Sequence, residues 1–288
     1  MNALNPSIEF VNRPAAEAML RKVAEELRRG NVVPYLGPGV AELSNASVPI
    51  SFEDLAAFFG SRLALPGRTS GNAWACAQHI ETTRHRTTLT AMMADAFNTP
   101  VEPAQLRRHL AGLPLPLIVD SWYDGAMRNA LTGRSNWGEV QGITRAGLSE
   151  HRWYRFYDAA GTEVDCSSAR GWKTILYKPH GGVAPAKNFL VSDADYVEVL
   201  TEIDIQTPIP EEVRDRRTGR SFLFLGCRFN DQLLRTYARQ VLKRSCDVHY
   251  AVIEPDTLSK NERRFLLEQG VRPLAIPLAH AVEILQTS

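Results

Sequence analysis

The stretch VVPYLGPGVA, residues 32–41, joins a short apolar run to a glycine-rich exit. A run of this length, with two β-branched residues and bounded by glycine, predicts a buried strand rather than a helix. Before it, residues 14–29 predict an amphipathic helix because Leu20, Val23 and Leu27 share one face. A strand that follows a helix and ends in glycines is typical of an α/β sheet, where ligands bind beyond the carboxyl ends of the strands.

Outward from this stretch, short apolar runs alternate with helical patterns. Further buried strands are predicted at residues 115–119, 174–178, 221–225, 248–253 and 272–276. The alternation predicts an α/β fold with a doubly wound, mostly parallel, Rossmann-like sheet. We expect one domain over residues 1–288, with a helical subdomain at 51–112 and an aromatic-rich insertion at 133–174 that contains a hairpin turn at 158–161. Residues 211–220 are expected to form a charged, solvated loop.

Composition excludes several classes of protein. The chain has 288 residues, and Lys+Arg 33 against Asp+Glu 32 leaves a net charge of +1, so no electrostatic argument favours nucleic acid as the partner. No apolar run approaches the roughly 18–20 residues of a membrane helix, and no secretory signal is visible. The four cysteines contain no CxxC pair, so we expect neither a metal site nor a disulfide framework, in a reduced, cytoplasmic protein.

Unusual sequences follow the predicted strands. A glycine pair alone is a weak signal, since Glu42 stands where the dinucleotide fingerprint has its third glycine. Five short motifs in order are more specific: Gly37-Pro38-Gly39-Val40-Ala41, Asp120-Ser121-Trp122-Tyr123-Asp124, Lys178-Pro179-His180-Gly181, Ser192-Asp193-Ala194-Asp195-Tyr196 and Gly226-Cys227-Arg228-Phe229-Asn230-Asp231. With these motifs the chain resembles the bacterial sirtuin-like (Sir2-like) domain proteins, several of which hydrolyse NAD in defence systems.

The resemblance implies a dinucleotide, FAD or NAD, in the crevice of the sheet. Its implied binding residues are Gly37, Pro38, Gly39, Val40, Ser121, Trp122, Tyr123, Asp124, His180, Gly226, Cys227 and Arg228. By the same resemblance, the glycines of the first motif face the phosphates and Gly226 and Cys227 lie against the adenosine half. Tyr123, Asp124 and His180 surround the nicotinamide ribose, and His180 and Asp124 are the implied catalytic residues.

Three departures from the family pattern bear on activity. The family's catalytic Asn falls at Trp122, whose indole has one N–H donor and no acceptor. The family's Ser is Ala41, which lacks a hydroxyl, and Pro38 removes one backbone N–H from the phosphate cradle. These departures favour a protein that binds a dinucleotide without NAD hydrolysis or deacetylation.

Several of these residues also have a purely structural interpretation. His180 is either a general base or a turn residue before two glycines. Asp124 binds a ribose hydroxyl or caps the following helix, and Asp231 is expected to cap its helix. Cys227 is a reactive thiol at a helix N-terminus or a buried one. Trp122 has three interpretations: it belongs to the core, it fills an inactive nicotinamide pocket, or it stacks on a flat ligand ring such as isoalloxazine.

Three functions remain open from the sequence. The first is a sirtuin-like dinucleotide-binding protein without hydrolysis, in a sensing, redox or scaffolding role. The second is an NAD hydrolase that uses His180. The third is a protein-interaction module with a vestigial crevice, in which the aromatic insertion around Trp153 and Tyr154 contacts a protein partner. None of the three involves a nucleic acid or a membrane.

Overall fold

The computed structural model describes residues 10–44, 47–143, 153–203 and 209–287. Within these ranges a nine-stranded sheet has the order β11-β10-β9-β1-β2-β6-β3-β4-β5, and β7 and β8 form a small antiparallel pair. The strands are β1 Val32–Leu36, β2 Leu117–Asp120, β3 Trp137–Gly142, β4 Tyr154–Asp158, β5 Glu163–Val164, β6 Thr174–Lys178, β7 Gly181–Gly182, β8 Asn188–Phe189, β9 Ser221–Leu225, β10 His249–Val252 and β11 Val271–Leu274.

Helices cover both faces of the sheet. They are α1 Arg13–Arg28, α2 Phe52–Arg62, α3 Ala73–Ala96, α4 Gln105–Gly112, α5 Ala126–Leu131, α6 Asp193–Ile203, α7 Glu211–Arg217, α8 Gln232–Leu242, α9 Lys260–Glu268 and α10 Leu278–Thr287. Among the described residues, no helix is both long and apolar enough to cross a lipid bilayer.

The strand β1 lies near the centre of the sheet. β1 pairs in parallel with β9 on one side and with β2 on the other. Alternate side chains of a strand point to opposite faces, so Val33 and Tyr35 enter the core under α6–α9, whereas Val32 and Leu36 enter the core under α1, α4, α5 and α10. Helices on both faces of a mostly parallel sheet confirm the predicted α/β, doubly wound fold.

A third core joins α2 and α3 to the sheet. It contains Phe59, Ile80 and Met93 from these helices and Trp122 from the segment after β2. The guanidinium of Arg86 fastens α3 to the start of α6 by donating two hydrogen bonds to the Asp195 carboxylate, at 2.9 and 2.8 Å. The helical segment is therefore fixed to the strand ends by apolar packing and to α6 by a partly buried ion pair.

The aromatic-rich insertion extends the sheet. Its β3 pairs in parallel with β6, and β4 and β5 form the predicted hairpin, with Gly161 at φ 90° in its turn. Trp137, Trp153 and Phe156 are buried in the cores. Residues 144–152 lie outside the described residues. These three rings therefore serve the core, whereas Tyr154 is only partly buried.

The expected loop at residues 211–220 is wrong, because residues 211–217 form α7. This charged helix is held in place by Val213 and Arg217, which are both buried. The Arg217 guanidinium donates to the carbonyls of Gln240 and Val241 at 2.8 and 2.7 Å, at the carboxyl end of α8. The arginine thereby caps the carboxyl end of α8, where the Gln240 carbonyl also accepts from Lys243 N at 3.3 Å. The charged segment therefore contributes to packing instead of forming a solvated loop.

Candidate functional site

An open cleft of about 430 Å³ lies beyond the carboxyl ends of β1, β9, β10 and β11. It is lined by Pro38, Gly39, Glu42, Ile50, Ser51, Phe52, Glu53, Gly226, Cys227, Arg228, Asn230, Leu234, Val252, Ile253, Glu254, Thr257, Ile276 and Leu278. Apolar side chains from α8 and the strand ends form one wall, and glutamates and an arginine supply charge. The cleft has the position and the mixture of surfaces of a small-molecule site in an α/β sheet.

The glycine turn after β1, residues 37–39, uses its backbone amides within the protein. The Gly37 N–H donates to the Leu225 carbonyl at 2.9 Å, and the Gly39 N–H donates to the Gly226 carbonyl at 3.0 Å. Pro38, between them, has no N–H. The turn is thereby joined to the segment after β9, and these amides are already engaged.

The same two segments approach too closely for side chains. A Cβ on Gly37 would lie 2.7 Å from Cys227 Cα, and a Cβ on Gly226 would lie 2.5 Å from Val40 N. Gly226 also has φ 62°, in the left-handed region that favours glycine. The glycines of the first and last motifs are therefore required for the contact between two strand exits.

Cys227 is a buried thiol at the edge of the cleft. Its Sγ lies 3.5 Å from the Tyr35 carbonyl oxygen, and burial raises the pKa of the thiol far above its ordinary value. A thiol nucleophile must ionise to react. Of the two interpretations that the sequence left open, the structure favours the buried cysteine.

Arg228 reaches the cleft from the segment after β9 and is held by Glu262. Its Nε donates to Glu262 Oε1 at 3.0 Å and its Nη2 to Glu262 Oε2 at 3.2 Å. The same buried carboxylate accepts from Phe229 N and Ser259 N. These hydrogen bonds lower the pKa of Glu262, despite its burial. The carboxylate fixes the segment that carries Arg228.

Trp122, after β2, is completely buried. Its Nε1 donates to the Pro49 carbonyl at 2.9 Å, and its ring lies edge-on to Phe52 and Phe97, with centroids 5.0 and 5.6 Å away. Tyr123 is buried beside it and donates from its hydroxyl to the Leu190 carbonyl at 2.7 Å. The indole thus belongs to the core that joins the helical segment to the sheet.

Lys178 organises the segment between β2 and α5. Its buried Nζ donates to Asp120 Oδ2 at 2.9 Å and to the carbonyls of Trp122 and Asp124 at 2.5 and 3.0 Å. An ammonium group has three donors, so each of them has an acceptor. Burial raises the pKa of Asp120, while the ammonium acts in the opposite direction.

Asp124 has structural partners on both carboxylate oxygens. Oδ1 accepts from Ala126 N at 2.8 Å, at the start of α5, and Oδ2 accepts from the buried Arg107 guanidinium at 3.2 Å. Ser121 is similarly engaged, since its Oγ donates to the Leu36 carbonyl at 2.8 Å. Asp231 accepts from Leu233 N at 2.6 Å and caps α8 as predicted.

His180 is buried among aromatic rings. Its Nδ1 lies 2.9 Å from the Tyr196 hydroxyl, and its ring packs 5.0 Å from that of Tyr237. Burial, together with the positive charge of Lys178, lowers the pKa of this imidazole to about 3. The ring is therefore neutral at physiological pH.

Comparison with known protein families agrees with this architecture. The model of the SIR2-like domain family matches residues 116–274, more than half of the chain. The chain belongs to the SIR2-like domain family. The match confirms the resemblance drawn from the motifs. No curated protein sequence matches the chain.

The structure divides the residues expected from the SIR2-like resemblance into two groups. Those on the lining of the described cleft are Pro38, Gly39, Gly226, Cys227 and Arg228. Those outside that lining are Gly37, Val40, Ser121, Trp122, Tyr123, Asp124 and His180. The first group lies at the ends of β1 and β9, and the second group is packed or hydrogen-bonded inside the protein.

Sequence reasoning missed four acidic residues of this region. Glu42, Glu53 and Glu254 line the cleft, and Glu262 holds Arg228. Two of them had a signal in the sequence. Glu254 comes directly after a predicted strand, and Glu262 stands three residues after Ser259, the spacing of the capping box that the structure contains.

Proposed function

We propose that this SIR2-like protein binds NAD, with the adenosine half in the cleft, and does not hydrolyse it. The observation that carries the proposal is the burial of Trp122, whose indole donates to the Pro49 carbonyl. By the motif resemblance, this residue falls where the family has its catalytic Asn. Since SIR2-like domains generally bind NAD, we place NAD ahead of FAD. A bound but uncleaved dinucleotide suits a sensing or scaffolding role.

The cleft supplies what an adenosine moiety requires. Leu234, Val252 and Ile276 offer an apolar wall against which a purine ring can pack. Glu254, at the end of β10, is exposed and offers a carboxylate to ribose hydroxyls, as acidic residues at strand ends do in dinucleotide-binding sheets. Arg228 offers a cation to a phosphate.

The neighbouring strand ends do not offer catalytic groups. A general base works best when its pKa lies near the operating pH, and the pKa of His180 is lowered to about 3. Its Nδ1 faces Tyr196. Trp122 has no acceptor to position a water molecule. These features argue against the hydrolase alternative, and the burial of Trp153 weakens the argument for the interaction module.

The test is calorimetric titration of the full chain with NAD, with mass spectrometry of the nucleotide afterwards. We expect NAD to bind and to be recovered intact. A Leu234→Trp variant fills the cleft and should bind NAD at least tenfold more weakly. Leu267→Trp adds the same bulk at a partly exposed position outside the cleft lining and should bind normally.

Three results would contradict the proposal. Release of nicotinamide and ADP-ribose would support the function of an NAD hydrolase. Loss of that turnover in His180→Ala would identify His180 as its general base. No binding at millimolar NAD, and none of FAD, would favour a protein-interaction module. Equal binding by the two tryptophan variants would place the ligand outside the cleft.

A further inference from the structure

The charge of the cleft is unusual for a site that receives phosphates. Glu42, Glu53 and Glu254 line it, against the single arginine Arg228. Arg228 itself is paired with the buried Glu262. Like charges repel at close range, so each phosphate added to a ligand in this cleft meets a negative field.

The backbone does not offset this field at the glycine turn. Amides in a glycine-rich turn normally attract phosphate oxygens because their N–H groups are free. Here the Gly37 N–H donates to the carbonyl of Leu225, the last residue of β9, the Gly39 N–H donates to the carbonyl of Gly226, and Pro38 has no N–H. The Val40 N–H donates to the Gly37 carbonyl at 3.2 Å. Residues 37–40 therefore have no free amide for a pyrophosphate.

Arg228 remains the cationic donor on the cleft lining. Its Nε and Nη2 contact Glu262, and Nη2 also donates to the Thr257 carbonyl at 2.9 Å. Its Nη1 has no hydrogen-bond partner among the described residues, and the side chain is 44% exposed. Arg228 and Thr257 both line the cleft, so Nη1 is available to one phosphate group there.

We infer that the cleft selects adenine ligands of low phosphate charge, and that a phosphate binds at Arg228 rather than at the glycine turn. This inference rests on the proposed function and names the ligand class of the same site. NAD fits this class because its nicotinamide cation offsets one of its two phosphate charges. Nucleotides with more phosphate charge, such as ATP and NADP, are disfavoured.

The inference is tested by titrating the full chain with adenosine, AMP, ADP, ATP, NAD and NADP in a magnesium-free buffer of low ionic strength. We expect AMP to bind more tightly than adenosine, and each further phosphate to weaken binding about threefold, the size of a charge interaction across a solvated cleft. NADP should bind about tenfold more weakly than NAD. At 0.5 M salt these ratios should approach one, because screening shortens the range of the repulsion.

Variants distinguish the effect of side-chain charge on nucleotide affinity from the effect of a distorted cleft. Glu53→Gln should reduce the ratio of AMP to ATP affinity about threefold, whereas Glu102→Gln, at a position whose side chain is 87% exposed and outside the cleft lining, should leave it unchanged. Arg228→Gln should weaken the binding of AMP about tenfold and leave the affinity for adenosine unchanged. Equal loss of adenosine and AMP in that variant would indicate distortion of the segment and would overturn the role of Arg228.

The two proposals fail in different ways. Affinity that rises steadily from AMP to ATP would overturn this inference and leave nucleotide binding in place. Failure of every nucleotide and nucleoside to bind would overturn the proposed function and the inference together. Preference for AMP and NAD, lost in salt, supports both.

Discussion

The carboxyl edge of the sheet has two halves that differ in what they offer a ligand. Over β1, β9, β10 and β11 the edge is an open cleft with charged and apolar walls. Over β2 and β6 it is closed by Trp122, Tyr123 and Lys178, all of them buried. The closed half satisfies its polar groups internally, so a ligand there would have to displace protein hydrogen bonds. A shared fold thus fixes where a site can lie, and the side chains decide which half is used.

The largest effect on stability is expected from a substitution in the closed half. Lys178→Met removes the buried ammonium and leaves Asp120 unpaired in the core. Removing one partner of a buried ion pair costs about 3–5 kcal/mol of the free energy of unfolding, which urea denaturation measures. Lys173→Met, at an exposed position just before the same strand, should change it by less than about 0.5 kcal/mol. A cost below about 1 kcal/mol for Lys178→Met would mean that water reaches this half.

An intermediate effect is expected where the open half meets its glycine turn. Gly37→Ala places a Cβ within 2.7 Å of Cys227 Cα, so two backbone segments must separate. We expect a loss of about 2–3 kcal/mol in the free energy of unfolding and weaker nucleotide binding. Gly60→Ala is the matched control, because its Cβ meets nothing within 4 Å in the interior of α2. That change should stabilise the protein by about 0.5–1 kcal/mol. Equal effects of the two substitutions would refute the close contact.

The smallest effect concerns pH and the buried imidazole of the closed half. The folded state holds the pKa of His180 at about 3, whereas an unfolded chain gives histidine its ordinary 6.5. The unfolded state therefore binds the proton first, and the stability contributed by neutral His180 is complete above pH 6.5 and is lost as the pH falls toward 3. At pH 5 the loss is about 2 kcal/mol.

This linkage is measured by comparing the wild type with His180→Gln. The difference in unfolding free energy between the two proteins should shrink by about 2 kcal/mol from pH 8 to pH 5, because the variant has no imidazole to protonate. His249, whose pKa burial lowers to about 4, is present in both proteins and cancels. A difference independent of pH would show that His180 titrates normally and that the closed half is accessible to solvent.

Most strands of the parallel part of the sheet were predictable from the sequence because they are short apolar runs. The strand β3 was not predicted, because Glu139 and Gln141 interrupt its apolar pattern. The five residues from Val32 to Leu36 are all buried, and this leaves little ambiguity about where the strand lies. The first residues of helices were equally predictable where a side chain caps the helix. Ser51, for example, caps α2 by accepting a hydrogen bond from Asp54 N at 3.0 Å. Such local features are encoded within a few residues.

The division of the edge into an open and a closed half was not predictable. It depends on contacts between distant segments, such as Trp122 with Pro49 and Lys178 with Asp120. Glycines that suggested a phosphate cradle have their amides engaged by carbonyls nearly 190 residues away. The aromatic insertion suggested a surface because composition does not say which way a ring points.

The pairing of β1 with β9 has a consequence for how the chain is made. Val32 pairs with Ser221, so the central strand leaves the ribosome long before its partner exists. At roughly 5–20 residues per second, the delay is about ten seconds or more. During that time the apolar strand β1 is exposed on one edge, and the cleft lacks half of its lining. A nascent chain halted before β9 would leave this edge of β1 without its partner strand, and nucleotide could bind in the cleft only near the end of translation.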